Sequence, residues 1–260
     1  MQDDYGNVTL VNVSGIYDEQ PLFIDKLKKG GAGVIDAVSM TGTNGYCDDM
    51  AKENFREMMK EYPTKGIHFI DGGNYHYLTL LWLSLIEEPF DLIVFDNHSD
   101  MQKPAFGDVL SCGGWIRNLV EDSGFKGKVT VVGVDKDNID KEMKELGVKF
   151  ITKQTILKKR GQQYGLENEL IDKCWTGKRP VYISVDKDVL DEKEYKTNWN
   201  QGVMSVDELF AIIEDTFEMR KVIGMDICGE MDEVVNSEFN SIYNEINQAV
   251  NMRFLKFRIS

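Results

Sequence analysis

Three short segments of this 260-residue chain each end an apolar run with ligating side chains. Phe69-Ile-Asp-Gly-Gly-Asn-Tyr-His76 brings one imidazole, Leu92-Ile-Val-Phe-Asp-Asn-His-Ser-Asp100 brings Asp96, His98 and Asp100, and Val181-Tyr-Ile-Ser-Val-Asp-Lys-Asp188 brings Asp186 and Asp188. In extended backbone, residues two apart point to the same side, so Asp96, His98 and Asp100 can converge on one locus, as can Asp186 and Asp188. Carboxylates gathered in this way repel one another strongly unless cations neutralise them. A carboxylate-rich set with two imidazoles suits two Mn²⁺ ions per chain, with Fe²⁺, Co²⁺ or Zn²⁺ as competitors and no thiolate to favour a softer site. Taken singly, His76 and His98 have the duller reading of packed or carboxylate-bonded histidines, and Asp186 and Asp188 that of turn or cap residues. Their concentration at strand ends is what is costly to explain without metal.

The elements that must position these groups follow from periodicity. Strands are expected at Thr9–Ser14, Val34–Met40, Ile67–Ile70, Leu92–Phe95, Lys128–Val134, Val148–Thr152, Pro180–Val185 and Lys221–Cys228. Between them lie helical patterns: within Asp18–Lys29, from Asp48 or Asp49 to Pro63, over Tyr75–Ile86, Cys112–Glu121 and Asn138–Leu146, from a Ser205/Glu208 capping box to Phe217, and over Ser237–Val250. The stretch Thr155–Gly177 is more polar, its Lys158-Lys159-Arg160 run is expected to be a solvated loop, and Met252–Ile259 an edge strand or tail. This alternation predicts an α/β fold, a three-layer αβα sandwich with a central, mostly parallel sheet, in a single domain over residues 1–260. In such a sheet ligands bind outside the carboxyl ends of the strands, and every candidate ligand here sits there.

These motifs resemble those of the arginase, agmatinase and formimidoylglutamase family, the ureohydrolases. Asp71-Gly-Gly-Asn-Tyr-His76 resembles the GGxH element, Asp96-Asn-His-Ser-Asp100 matches DxHxD, and Ser184-Val-Asp-Lys-Asp-Val-Leu-Asp191 matches SxDxDxxD, in the family order and over most of the chain. The resemblance implies an arginase-like fold in which His76 with Asp100 binds one manganese and His98 with Asp188 the other, while Asp96 and Asp186 bridge them. It further implies a metal-bridging hydroxide that cleaves a nonpeptide C–N bond of a guanidino or amidino compound, with Asp100 suited to hold the solvent proton.

The chain also departs from the family. GGNYH carries one extra residue before His76. The shuttle histidine expected after DxHxD is missing, and the comparable stretch Leu110-Ser-Cys-Gly-Gly-Trp115 offers Cys112, a proton donor or weak nucleophile whose duller reading is a buried structural cysteine. The guanidinium-holding Glu late in the sheet corresponds to Glu230, displaced by about one residue, with Asp226 as rival. The remaining imidazole, His68, lies inside a strand and reads as structural. These departures keep two alternatives open: a catalytically silent metal- or ligand-binding family member, and a metal-dependent deacetylase of the related fold, which normally uses one zinc.

Composition narrows the rest. Thirty basic against 44 acidic residues give a net charge of −14, which excludes nonspecific attraction to nucleic acid or anionic lipid. Four scattered cysteines without a CxxC pair argue against a zinc ribbon or disulfide framework and fit a reducing cytoplasm, and no run is long enough to cross a membrane. No GxSxG elbow is present, and Gly72-Gly73 lacks the third glycine of a dinucleotide fingerprint. The expected partner is a small guanidino or amidino substrate, and the expected assembly a homo-oligomer.

Overall fold

A computed structural model describes residues 4–104, 107–122, 124–161, 165–231 and 237–259. The strands are β1 (Val8–Asn12), β2 (Gly33–Asp36), β3 (Tyr46–Cys47), β4 (Ile67–Phe69), β5 (Asp91–Phe95), β6 (Leu110–Ser111), β7 (Val129–Val132), β8 (Lys149–Ile151), β9 (Val181–Asp186) and β10 (Val222–Cys228). The helices are α1 (Pro21–Lys29), α2 (Asp49–Met59), α3 (Leu78–Leu83), α4 (Trp115–Glu121), α5 (Lys141–Glu145), α6 (Lys153–Lys159), α7 (Gly165–Leu170), α8 (Val206–Met219) and α9 (Ser237–Phe254).

Eight of the strands form one sheet in the order β2-β1-β4-β10-β9-β5-β7-β8, with every pairing parallel, and β3 and β6 make a small antiparallel ribbon. The central strands β5, β9 and β10 are buried along their whole length, as strands covered on both faces must be. Alternate residues feed opposite layers. Ile93, Phe95, Ile183, Val185, Met225 and Ile227 pack with Phe23 and Leu27 of α1, Leu209 and Ile213 of α8 and Phe254 of α9. Leu92, Val94, Tyr182 and Ile223 pack with Phe55 and Met59 of α2, Leu81 and Trp82 of α3 and Trp115 of α4. The expected three-layer αβα architecture is what the chain forms, and among the described residues no helix is long and apolar enough to cross a membrane.

Local chemistry sets the helix starts. Asp48 accepts from Ala51 N to begin α2, and Ser205 with Glu208 closes the expected capping box of α8. Two expectations are corrected, and two segments take shapes that the sequence left open. The basic Lys158-Lys159-Arg160 run is not a loop but the end of α6, where Lys158 and Lys159 face the helix C-terminus favourably and Arg160 pairs with Glu208. Much of the polar region after it is helical too, with α7 followed by a π-helical turn at Ile171–Trp175. The helix of residues 75–86 contracts to α3, preceded by a 3₁₀ turn at Gly73–Tyr75. Of the edge strand or tail expected at the C-terminus, the described residues form a tail, after α9 continues to Phe254 and buries that ring against Phe210.

One glycine shows how tightly the strand ends are packed. Gly133, just past β7, has φ 123°, and a Cβ there would lie 2.5 Å from the Asp96 carbonyl oxygen and 2.6 Å from Val189 Cγ2. Both the backbone conformation and the contact penalise any side chain. Gly133→Ala is expected to lose about 1–3 kcal/mol of stability, read from the urea midpoint. An unchanged midpoint would show that the β5 and β7 ends relax freely.

Candidate metal centre

The four adjacent central strands β4, β10, β9 and β5 direct their carboxyl ends to one place. His76 is the C-cap of the 3₁₀ turn after β4, Asp96, His98 and Asp100 follow β5, Asp186 ends β9, and Asp188 lies in the 3₁₀ turn after it. His76, Asp96, Asp100, Asp186 and Asp188 are buried, and His98 is 29% exposed at its side chain.

The distances define two foci. His76 Nδ1 lies 2.9 Å from Asp100 Oδ2, 3.3 Å from Asp96 Oδ2 and 3.7 Å from Asp186 Oδ2. His98 Nδ1 lies 2.7 Å from Asp188 Oδ2 and 3.5 Å from Asp96 Oδ1. Asp96 therefore turns one oxygen to each imidazole. Although these atoms are close, His76 Nδ1, Asp96 Oδ2 and Asp188 Oδ2 are buried without a hydrogen-bond partner among the described residues. Lone pairs that approach one another without forming hydrogen bonds are what a cation between them would satisfy, so the donor set fits divalent metal.

The surrounding layer fixes these groups. Ser184 Oγ donates to Asp226 Oδ1 at 2.6 Å, so it accepts from His76 Nε2 at 2.9 Å, and that tautomer leaves the Nδ1 lone pair facing the carboxylates. Trp115 Nε1 donates to Asp100 Oδ2 at 2.7 Å, and Asn97 N donates to Asp188 Oδ1 at 3.0 Å. Asp100 itself sits at φ 49°, an uncommon conformation for a non-glycine residue. Upstream, Asp71 at φ 73° anchors the turn that delivers His76, accepting from Val13 N, Ser14 N, Ser14 Oγ and Gly72 N.

Electrostatics describe the cluster with protons where cations would sit. Burial, then the charges of Asp188 and Asp96, push Asp186 up to about 7. Burial and Asp96 push Asp188 up to about 6. Burial opposes charge on His98, but Asp188 and Asp96 overcome it and lift the imidazole to about 12. Burial likewise opposes charge on His76, yet its neighbours Cys228, Asp100 and Asp96 raise it well above the ordinary value.

The remaining expected residues fall in different places. Cys112 begins a 3₁₀ turn and, with Gly73, His98, Asp100, Gln102, Ser111 and Trp199, lines a cavity of about 160 Å³ over the cluster. Burial, then Asp100, push its thiol up to about 12, so it stays protonated near neutrality and is a poor nucleophile. Glu230 does not line this cavity. Its carboxylate ion-pairs with the wholly buried Lys187 and accepts from Gln20 Nε2 at 2.8 Å and Asn251 Nδ2 at 2.7 Å. In the preceding position Gly229, at φ 88°, passes so close that a Cβ would lie 2.6 Å from Asp186 Oδ1. Asp226 is buried beneath His76 as the acceptor of Ser184. His68 is structural as expected, stacked on Trp82 at 3.9 Å and bonded to Tyr182 Oη and the Pro63 carbonyl.

Sequence reasoning missed Lys187, Trp115, Cys228 and the Ser184–Asp226 relay. A lysine between two of the quoted aspartates was the available sign for Lys187, and Ser184 stood within the same motif. The structure also places a thiol beside the cluster that the sequence did not single out, Cys228, whose Sγ lies 3.3 Å from Asp186 Oδ2. A larger cavity of about 220 Å³ beside Leu83, Phe90 and Phe125 contains none of the described ligating clusters, so size does not locate the site.

The comparisons with known proteins accord with this geometry. The Arginase family model matches residues 28–232. The chain belongs to the arginase family. A Thermotoga maritima protein described as uncharacterized is 30% identical over 227 residues, covering 87% of this chain and 80% of its own length. Formimidoylglutamase from Bacillus subtilis superposes with a TM-score of 0.70 at 16% identity, covering 98% of this chain and 87% of that one. Trypanosoma cruzi formiminoglutamase, solved with Mn²⁺, superposes with a TM-score of 0.63 at 14% identity, covering 95% of this arginase-family chain and 93% of the other.

Two outcomes follow. Asp186 and Asp188 bind protons in the metal-free folded chain at pH values where the unfolded chain has released them, so their burial costs stability as pH rises from about 4 to about 7. The rise in unfolding midpoint on adding Mn²⁺ is therefore expected to be larger at about pH 8 than at about pH 5, because metal must displace those protons. A rise independent of pH would exclude these carboxylates as the groups that metal neutralises. Separately, Lys187→Ala strands a buried Glu230 and is expected to cost about 3–5 kcal/mol, while Lys187→Met with Glu230→Leu recovers most of it. Equal loss in the single and double variants, measured by denaturant unfolding, would contradict the pairing.

Proposed function

We propose that this arginase-family chain is a binuclear hydrolase of a nonpeptide C–N bond in a guanidino or amidino compound, with manganese as the resident metal. The observation that carries this reading is the pair of foci sharing Asp96, one about His76 Nδ1 and one about His98 Nδ1. The Mn²⁺ named with the Trypanosoma cruzi formiminoglutamase supports the choice of ion.

In this reading His76 with Asp100 would hold one ion and His98 with Asp188 the other, with Asp96 and Asp186 available to both. Two divalent ions held there would supply Lewis acidity and a solvent molecule acidified toward neutrality. The chain does the rest. Ser184 and Asp226 keep His76 in its ligating tautomer, and Trp115 keeps Asp100 in its strained conformation. Asp100, at the cavity floor, is placed to take a proton from the solvent adding to the amidine carbon and to pass it to the departing amine. Gln102 and Ser111 offer neutral hydrogen-bonding groups to the substrate, and the protonated Cys112 thiol is a donor rather than a nucleophile. Trp199, held by Asn74 Oδ1 through its Nε1, gives a planar amidine a flat face to lie against.

Glu230 favours a second reading. With its carboxylate committed to Lys187, it is not presented to a guanidinium, and no third imidazole adjoins the site among the described residues. These features favour a family member that binds metal without turnover. A deacetylase of the related fold is less favoured, since ligands for two ions converge here.

Metal analysis of purified protein is expected to find about two divalent ions per chain, manganese among them, against about one Zn alone for a deacetylase. Arginine, agmatine, formimidoylglutamate and guanidinobutyrate are the substrates to screen for release of urea, ammonia or formamide. Asp96→Asn is expected to lose both metal loading and turnover, the latter by at least about 10²-fold. Normal loading in that variant would remove the bridging role. Fully loaded wild-type protein inert toward the whole set would favour the silent reading.

A further inference from the structure

The proposed hydrolysis leaves Cys228 without a role. This residue ends β10 directly opposite Asp186 of β9, is wholly buried, and donates its Sγ–H to Asp186 Oδ2 at 3.3 Å. Ligand atoms of His76, Asp186 and Cys228 all lie within 4.8 Å of one another, a separation that donors around a single ion can adopt. An independent feature points the same way: His76 is 1% exposed, and its Nδ1 lacks a hydrogen-bond partner while Nε2 is committed to Ser184. The corresponding group about His98 consists of Asp96, His98 and Asp188, with only oxygen and nitrogen donors.

We infer that Cys228 is a metal ligand, supplying a thiolate at the His76 position and making the two halves of the centre chemically unlike. The inference rests on the binuclear reading above. As an ion binds, the S–H bond breaks heterolytically: the proton leaves to solvent, the sulfur keeps both electrons and donates a pair to the ion, and no redox change occurs. A soft sulfur donor favours zinc, cobalt or iron over manganese, whereas the His98 position, built of hard oxygens and one imidazole, suits manganese. A centre of this kind accepts two different metals, with the softer ion beside β10.

The test replaces bound metal with Co²⁺, which reports sulfur ligation through a near-ultraviolet charge-transfer band, and measures cobalt content in the same samples. Wild-type protein is expected to show the band, Cys228→Ser to lose it while still binding cobalt at the His98 position, and Cys112→Ser to keep it, which assigns the sulfur. In competition with excess Mn²⁺, wild type is expected to retain about one Zn per chain and Cys228→Ser to exchange it. Full cobalt loading of wild type without the band, or an undiminished band in Cys228→Ser, overturns the inference. Should Cys228→Ser not fold, Cys228→Ala replaces it, and the wild-type spectrum alone still decides against sulfur ligation if the band is absent. Failure of wild type to bind cobalt at all overturns the inference together with the metal centre. The band in a protein inert toward every amidine upholds the inference and defeats only the hydrolase reading.

Discussion

Mutual repulsion among Asp96, Asp100, Asp186 and Asp188 is the constraint on which the rest of the structure depends. All four lie at the ends of adjacent central strands, under cover of helices on both faces, where water cannot screen them. A fold that places like charges there must supply compensating positive charge. The upward displacement of Asp186 and Asp188, and the retention of protons by both imidazoles, are the signs of that demand. Protons satisfy it poorly, as the unpartnered Asp96 and Asp188 oxygens show. Divalent cations satisfy it with fewer particles and better geometry, so the site reads as a cation trap built into the sheet.

Behind the cluster the same problem recurs and is solved by an ion pair within the chain. Lys187 opens the 3₁₀ turn between Asp186 and Asp188, and its ammonium meets Glu230, Asn251 and, through them, Gln20, none of which lines the cavity. This network ties the β9 end to α9 and to the segment before α1. Ser184 and Asp226 serve a narrower purpose, setting one imidazole tautomer, and Trp115 does the same for one carboxylate oxygen. His76 and Asp100 are thus each held by a neighbouring side chain, and His98 is the member of the cluster left partly open to the cavity.

What the amino-acid sequence disclosed depended on whether the signal was local. β5, β9 and β10 were legible because strands buried on both faces are written as continuous apolar runs, and their terminal aspartates were legible because period-two spacing is a backbone property. The α6 end was misread because a polar, basic composition resembles a loop, whereas helix termini welcome lysines and Arg160 finds Glu208 across 48 residues of sequence. The same long-range dependence hid Cys228 and Lys187. Nothing in their neighbours shows that one turns toward Asp186 and the other toward Glu230; both facts arise from β9 and β10 lying side by side in one particular register. His76 was legible in spite of its irregular motif, since the 3₁₀ turn Gly73–Tyr75 takes up the extra residue and returns the imidazole to the carboxylates.

The Lys187–Glu230 pair bears on recognition as well as on stability. A cationic substrate group needs a free carboxylate, and the buried carboxylate nearest in sequence to the family position is already neutralised from within. Gly229, one residue earlier, cannot replace it, because the backbone there runs against Asp186 with no room for a side chain. The cavity wall beyond the cluster is formed by Gly45, Gly73, Gln102, Ser111, Cys112, Gly113 and Trp199, none of them charged. Selectivity in a site of this composition must arise from shape, stacking on Trp199 and neutral hydrogen bonds, with charge recognition confined to the ligand cluster itself. Four of the chain's 44 acidic residues meet at this cluster, so the carboxylates there are suited to cations, while the wall around them meets an organic molecule with uncharged groups.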